Sequence, residues 1–104
     1  MGDVSEGDWK LFRKRLPRWQ ESHMEKLISE YMEILSGEGL ASERFWALEK
    51  RVDGDKRRPG VVVERMSRST MYREIALLAQ DGVIAPNDLE GFTEDVRRFA
   101  QSYF

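Results

Sequence analysis

The chain has 104 residues, the length of a single domain, and 40% of them are hydrophobic, enough for a packed core. It contains no cysteine, which excludes disulfides, thiolate metal sites and thiol nucleophiles. The net charge of −2 is atypical of a strongly basic nucleic-acid binder. The apolar runs are too short to span a membrane and the acidic start lacks the apolar stretch of a secretory signal, so we expect a cytoplasmic protein.

A long helix is predicted over the first third of the chain. Ser5 and Asp8 resemble a capping box, and an apolar stripe begins at Trp9. Pro17 disfavours a helical conformation at the residue before it, yet the stripe continues to residue 35. Two alternatives are open: one helix kinked at Pro17, or a short helix that is broken there and followed by a long one.

A further helix is predicted after "SGEG" at 36–39, where Gly37 is suited to a left-handed C-terminal position. Ser42 is its expected N-cap, and its apolar face carries Phe45, Leu48 and Val52. The next segment, "DGDKRRPG" at 53–60, has the composition of a loop. Periodicity does not decide whether the valines at 61–63 are extended or helical.

The stretch "ERMSRSTMYREIALLAQDGVI", residues 64–84, resembles a DNA-recognition helix, because serines, a threonine and arginines open an apolar helix. Ser67 or Ser69 is expected to open this helix and Gly82 to close it. A helix-turn-helix also needs a preceding helix, for which a segment containing glycine and proline is poor material. Since the helix is apolar on nearly every side, we predict a capped core helix and no base reader.

The last helix is predicted to begin at a capping box of Asn87 and Glu90, with a break before Thr93 indicated by Gly91. No alternating strand pattern reaches five residues. The sequence therefore predicts an all-α fold: a compact bundle of four to five helices forming one domain over 1–104, with 1–5 flexible. Residues expected in the core are Leu27, Ile28, Tyr31, Leu48, Ile75, Leu78, Val96 and Phe99.

Motifs of enzymatic chemistry do not occur in the sequence. There is no HExxH, no GxSxG and no glycine-rich phosphate loop, and the one histidine, His23, falls beside the apolar stripe of the long helix. We predict no catalytic residue, no metal ligand set and no cofactor, and we expect that the protein is not an enzyme.

Two groups of residues are candidates for binding. Apolar residues that miss their helical stripes fit either additional core contacts or a protein interface; they are Met32, Trp46 and Leu77. Basic side chains in segments 10–18 and 56–73 fit either solvated faces or contacts to a polyanion; they are Lys10, Arg13, Lys14, Arg18, Lys56, Arg57, Arg58, Arg65, Arg68 and Arg73.

Several segments together resemble a group of short bacterial proteins that has no established activity: "WKLFRKRLPRWQESHMEKL", "SERFWALEKR", "DKRRPGV", "MSRSTM" and "DGVIAPNDLEGFTEDV". The similarity runs from Trp9 to nearly the end. Members sometimes carry the label "multidrug transporter", which a chain with no apolar run of membrane length contradicts. The resemblance implies one compact helical domain and supplies no catalytic or binding residues.

We therefore expect a non-enzymatic helical module that acts through protein contacts, either by self-association or by binding a regulatory partner. An accessory or inhibitor protein of a mobile element fits this size. The alternative is a nucleic-acid-associated protein that uses the basic segments 10–18 and 56–73.

Overall fold

Helices account for all regular secondary structure in residues 3–104, the part of the chain that the computed structural model describes. The four α-helices are α1 (Glu6–Ser36), α2 (Ala41–Asp55), α3 (Met71–Gln80) and α4 (Glu94–Ala100). Single turns of 3₁₀ helix lie at Arg68–Thr70, Pro86–Leu89 and Gln101–Tyr103. Residues 3–104 contain no strand, and the all-α prediction is confirmed.

Helix α1 is continuous over 31 residues, with Pro17 in its interior. The predicted N-cap is confirmed, since the Ser5 hydroxyl accepts a hydrogen bond of 3.1 Å from the Asp8 backbone N–H. The alternative of a break at Pro17 is wrong. Proline lacks the N–H that the Arg13 carbonyl would otherwise accept from, but both residues are exposed, so water can satisfy that carbonyl.

The turn after α1 differs from the prediction. Gly37 is extended, with φ −69° and ψ 174°, and the positive φ of +120° belongs to Gly39. Helix α2 begins with Leu40 as N-cap, whose N–H donates to the Glu43 carboxylate at 2.8 Å. Ser42 therefore lies inside the helix and is not its cap. Residues 53–55, expected in a loop, form the last turn of α2.

The core is organised around α3, whose Met71, Ile75 and Leu78 have no accessible surface. The first half of α1 and the C-terminal helix α4 pack on it; other core residues include Phe12, Leu16, Trp19, Leu89, Phe92, Val96 and Ala100. Ser67 stands at the N-cap position of the 3₁₀ turn that leads directly into α3, and its side chain makes no capping hydrogen bond to the backbone of that turn. The prediction of a core helix in this stretch is confirmed, and no helix precedes it between residues 56 and 67.

The C-terminal region is divided where Gly91, at φ +95°, interrupts the chain, as predicted. The predicted capping box of Asn87 and Glu90 is wrong. The Asp88 carboxylate instead accepts from the Ala85 N–H at 2.7 Å and stabilises a 3₁₀ turn. Phe99, predicted as core, is only half-buried, and its ring packs edge-on against Tyr72 at 4.9 Å.

The N-terminal segment 1–5, predicted to be flexible, is anchored at its end. Residues 1–2 lie outside the described residues. Val4 is buried, and its carbonyl accepts hydrogen bonds of 3.0 and 2.6 Å from the Arg68 guanidinium. Ser5 caps α1. Val4 and Ser5 therefore do not belong to a flexible tail.

The second half of α1 and the whole of α2 form an antiparallel helical hairpin, residues 23–55, that extends beyond the core. The molecule measures 53 × 24 × 22 Å, and its radius of gyration is 16.3 Å against about 13 Å for a compact chain of this length. Helix α2 has no buried residue. In the hairpin, Leu27 is buried as predicted, whereas Ile28 is 51% exposed and Tyr31 and Leu48 are half-buried.

Candidate interaction site

Polar contacts fix the register of the two helices in the hairpin. At the tip, the Arg44 guanidinium donates to the Leu35 carbonyl at 2.8 Å, and so satisfies one of the free carbonyls at the end of α1. Nearer the core, Arg51 pairs with Glu30 at 2.8 Å. These bonds place Leu35 beside residues 44–45 and residue 30 near residue 51.

Tyr31 joins the same network, because its hydroxyl donates to the Asp55 carboxylate at 2.6 Å. Burial, and then this hydrogen bond and the negative charge of Asp55, raise the pKa of Tyr31 to about 12. Tyr31 therefore remains a neutral donor across the physiological pH range. The bond ties the middle of α1 to the last turn of α2.

One side of the hairpin presents apolar residues to solvent along both helices, and we call it the open face. Its exposed members are Ile28 and Leu35 on α1 and Phe45 and Val52 on α2. Half-buried Tyr31 and Leu48 lie between them. On each helix the residues follow one another at intervals of three and four, which aligns them as a stripe.

A depression of about 190 Å³ lies at the end of the open face nearest the core. Residues of both helices line it, including Met24, Ile28, Tyr31 and Val52, together with Val61 from the following loop. Because Ile28 and Val52 share this depression, the stripes of α1 and α2 lie on the same side of the hairpin. The other end of the open face carries Leu35 and Phe45.

Further exposed apolar side chains extend the open face at its edges and tip. Met32 is four residues from Ile28 on the surface of α1, Trp46 packs edge-on against Phe45 at 5.0 Å, and Leu40 lies at the tip. Met32 and Trp46, both candidates from the sequence, are exposed on the hairpin, on α1 and α2 respectively. Leu77, the third candidate, is 39% exposed but belongs to α3, outside the hairpin.

The exposed apolar surface of the hairpin is large. Seven large hydrophobic residues, Ile28, Met32, Leu35, Leu40, Phe45, Trp46 and Val52, are each 40 to 68% exposed. At 150–250 Å² for a large side chain, these fractions amount to roughly 700 Å². The largest apolar patch on a typical monomer is about 300–600 Å², and patches of that size are often functional.

The residues around the open face are mainly acidic. The hairpin contains twice as many acidic as basic residues. Two of the four basic residues are engaged in holding the hairpin together: Arg44 on the Leu35 carbonyl and Arg51 on Glu30. Exposed Glu25, Glu33 and Glu49 contribute to a negatively charged surround.

Most of the basic residues predicted to contact a polyanion are engaged within the chain. The Arg13 guanidinium lies over the Trp9 ring; Lys56 and Arg57 pair with Asp53, Arg58 with Asp81, Arg68 with Glu6 and Arg73 with Glu74. The others are Lys10, Lys14 and Arg18, which are exposed on α1, and Arg65, in the segment before α3. Arg68 in particular has a structural role, since it also holds the Val4 carbonyl.

His23 and Gly60 meet where the hairpin joins the core. Gly60 is buried, and a Cβ at this position would collide with the His23 ring and would lie 2.9 Å from a Val83 methyl group. The half-buried histidine therefore packs against the loop, as expected for a residue beside the apolar stripe. Residues 3–104 contain no group of three acidic or histidine side chains placed to hold a metal ion.

Comparison of the chain with protein families, with curated proteins and with solved structures found no match. Among the described helices, none combines the length and the apolar character that crossing a membrane requires. The geometry of the hairpin is therefore the basis for assigning a function.

Proposed function

We propose that this protein is a non-enzymatic interaction module whose binding element is the open face of the hairpin. The observation that carries this proposal is the stripe of exposed apolar residues along both α1 and α2, which includes Phe45 and has Trp46 at its edge. Tryptophan, phenylalanine and methionine are enriched in protein interfaces, and large aromatic residues dominate the binding energy there. A two-helix hairpin buries little surface by itself, so a partner on this face would stabilise it.

The use of the acidic side chains supports a binding role over a catalytic one. Asp8 holds the N-terminus of α4, Asp55 accepts from Tyr31, and Glu43 caps α2. Each is occupied in positioning helices. The contacts of Arg68 and Arg73 also favour protein binding over DNA recognition. The side chains that would face DNA are directed to neighbouring residues of the chain.

Affinity capture with matched variants tests this function. Tagged wild-type protein, a face variant (Ile28→Ser with Phe45→Ser) and a control variant (Leu77→Ser) are each immobilised and exposed to cell extract and to the untagged chain. Leu77 is also an exposed apolar residue but lies outside the hairpin, so Leu77→Ser controls for non-specific hydrophobic adsorption.

We expect wild type and control to retain the same binding proteins, whether other proteins or the chain itself, and the face variant to lose them. Circular dichroism of the variants should be unchanged, because the substituted side chains are exposed. Equal retention by wild type and face variant would contradict the proposed function.

A further inference from the structure

We propose that a second copy of this chain covers the open face, so that two hairpins pack face to face as an antiparallel four-helix bundle. This inference rests on the proposed function and names the partner of the same surface. The two-fold axis of the dimer runs between the two faces, perpendicular to the helices, at the level of Tyr31 and Leu48. Such a contact is isologous, with the same surface contributed by each copy.

The spacing of the open face is self-complementary about that level. On each helix one exposed residue lies three positions before the half-buried central residue and another lies four positions after it; the sets are Ile28, Tyr31, Leu35 and Phe45, Leu48, Val52. The two-fold rotation exchanges the two ends of the face, which are about 10 Å apart along the helices. Alternation of three and four is the spacing with which antiparallel helices pack in four-helix bundles.

The two ends of the open face also match in shape. At one end the Phe45 ring projects into solvent, with 61% of the residue exposed. At the other end lies the depression of about 190 Å³ beside Ile28 and Val52. An apolar cavity of about 150 Å³ accommodates a benzene molecule, so the depression has room for a phenyl ring. The two-fold rotation brings Phe45 of each copy to the depression of the other, and this contact is made twice.

The area of the surface fits a dimer. Without Trp46, which points about 100° away from Phe45 around α2, the exposed apolar surface of the hairpin is roughly 550 Å², about two thirds of the ~800 Å² that each partner buries in a stable protein interface. Interfaces between identical copies are also more apolar than those between transient partners. Polar atoms at the margin, including those of Glu49 and Lys56, would add to the buried area.

The acidic surround predicts how salt affects the dimer. Each hairpin carries twice as many acidic as basic residues, so the margins of two copies repel each other at low ionic strength. Salt screens this repulsion over distances of about 10 Å at 0.1 M. Self-association should therefore strengthen as salt rises. A basic partner on the same face would bind more weakly under those conditions.

Sedimentation equilibrium over a concentration series tests the dimer, using untagged wild type, Phe45→Ser, Ile28→Ser and the control Leu77→Ser. We expect a monomer–dimer equilibrium for wild type and control that shifts toward dimer at higher salt. Loss of a buried aromatic anchor should weaken the dimer by on the order of tenfold or more in Kd. Circular dichroism establishes that each variant is folded.

Engineered cysteines test the antiparallel arrangement, and the chain offers a clean background because it has no cysteine of its own. Leu48→Cys lies at the two-fold axis and should form a disulfide with its own copy. Phe45→Cys mixed with Val52→Cys should give the mixed disulfide dimer, while Phe45→Cys alone should cross-link poorly. Efficient cross-linking of Phe45→Cys alone would indicate tip-to-tip packing and would overturn the antiparallel proposal.

The outcomes separate this inference from the proposed function. Wild type that stays monomeric at every concentration and salt would overturn the second-copy proposal. If the face variant still loses other bound proteins in that case, the interaction function stands with a different partner. If wild type dimerises but Phe45→Ser and Ile28→Ser dimerise equally well, the open face is not the dimer interface and the second-copy proposal fails. The proposed function is then decided by whether the face variant still loses its other bound proteins.

Discussion

Asp8 connects the two ends of the chain, and replacing it with alanine should destabilise the fold strongly. Its carboxylate is buried and accepts hydrogen bonds from the Thr93 N–H at 2.9 Å and the Thr93 hydroxyl at 2.7 Å. Hydrogen bonds to a charged group contribute about 1.5–3 kcal/mol each. The carboxylate also lies at the N-terminus of α4, where a negative charge adds about 0.3–1 kcal/mol.

Asp8→Ala should therefore cost about 3–5 kcal/mol, a large part of the 5–15 kcal/mol typical of a domain. The effect is measured by urea denaturation followed by circular dichroism. Thr93→Ala removes the hydroxyl but keeps the N–H, so it should cost less, about 1–2 kcal/mol. Asp95→Ala removes an exposed acid from the same end of α4 and is the matched control. If Asp8→Ala and Asp95→Ala are equally stable, the reasoning about the buried carboxylate is wrong.

Three other outcomes are expected. Gly60→Ala should destabilise the fold by about 1–3 kcal/mol, because the added Cβ overpacks the site. Gly54→Ala has open space around its Cβ and should stabilise α2 by up to about 1 kcal/mol. Thermal melts that rank the two variants in the opposite order would contradict this. The pKa of Tyr31 is raised to about 12, above the ~10 of an unfolded chain, so its contribution to stability is complete below pH 10 and is lost between about pH 10 and 12. Tyr31→Phe should remove one tyrosine from the late part of an absorbance titration of tyrosinate, to which Tyr72, whose pKa burial also raises, still contributes; an unchanged titration would refute the assignment. Selection from a random duplex library should enrich no motif for wild type or for Arg68→Ala with Arg73→Ala; an enriched motif that the double variant loses would make α3 a base reader after all.

The helices themselves could be predicted from local signals. Ser5 identifies the start of α1, and Gly91 identifies the break before α4. The nearly all-round apolar pattern of residues 71–79 identified α3 as the central helix. These features depend on neighbours within a few residues, so the sequence contains them directly. The caps at Ser42 and Asn87 were assigned wrongly, because Glu43 and Asp88 bind the backbone N–H three residues before them in each case.

The open face could not be distinguished from a core by its pattern. Ile28 and Leu35 follow the same intervals as buried Phe12 and Leu16, because a helical stripe shows which side avoids water and not which chain covers it. The lengths of the helices indicate what periodicity does not. Helix α1 has 31 residues and spans about 46 Å, while the two helices that pack on its first half have only 10 and 7 residues. Its second half extends beyond them and packs mainly against α2, which buries none of its own residues.

Amide hydrogen exchange of α2 at low and high protein concentration tests the central claim most directly. Helix α2 buries none of its own residues, so its amides should exchange rapidly in the monomer. If a second copy covers the open face, the amides of α2 and of residues 28–35 should become markedly more protected at high concentration, while those of α3 stay unchanged. The account is contradicted if exchange in α2 does not depend on protein concentration and Phe45→Ser exchanges at the same rates as wild type over that concentration range.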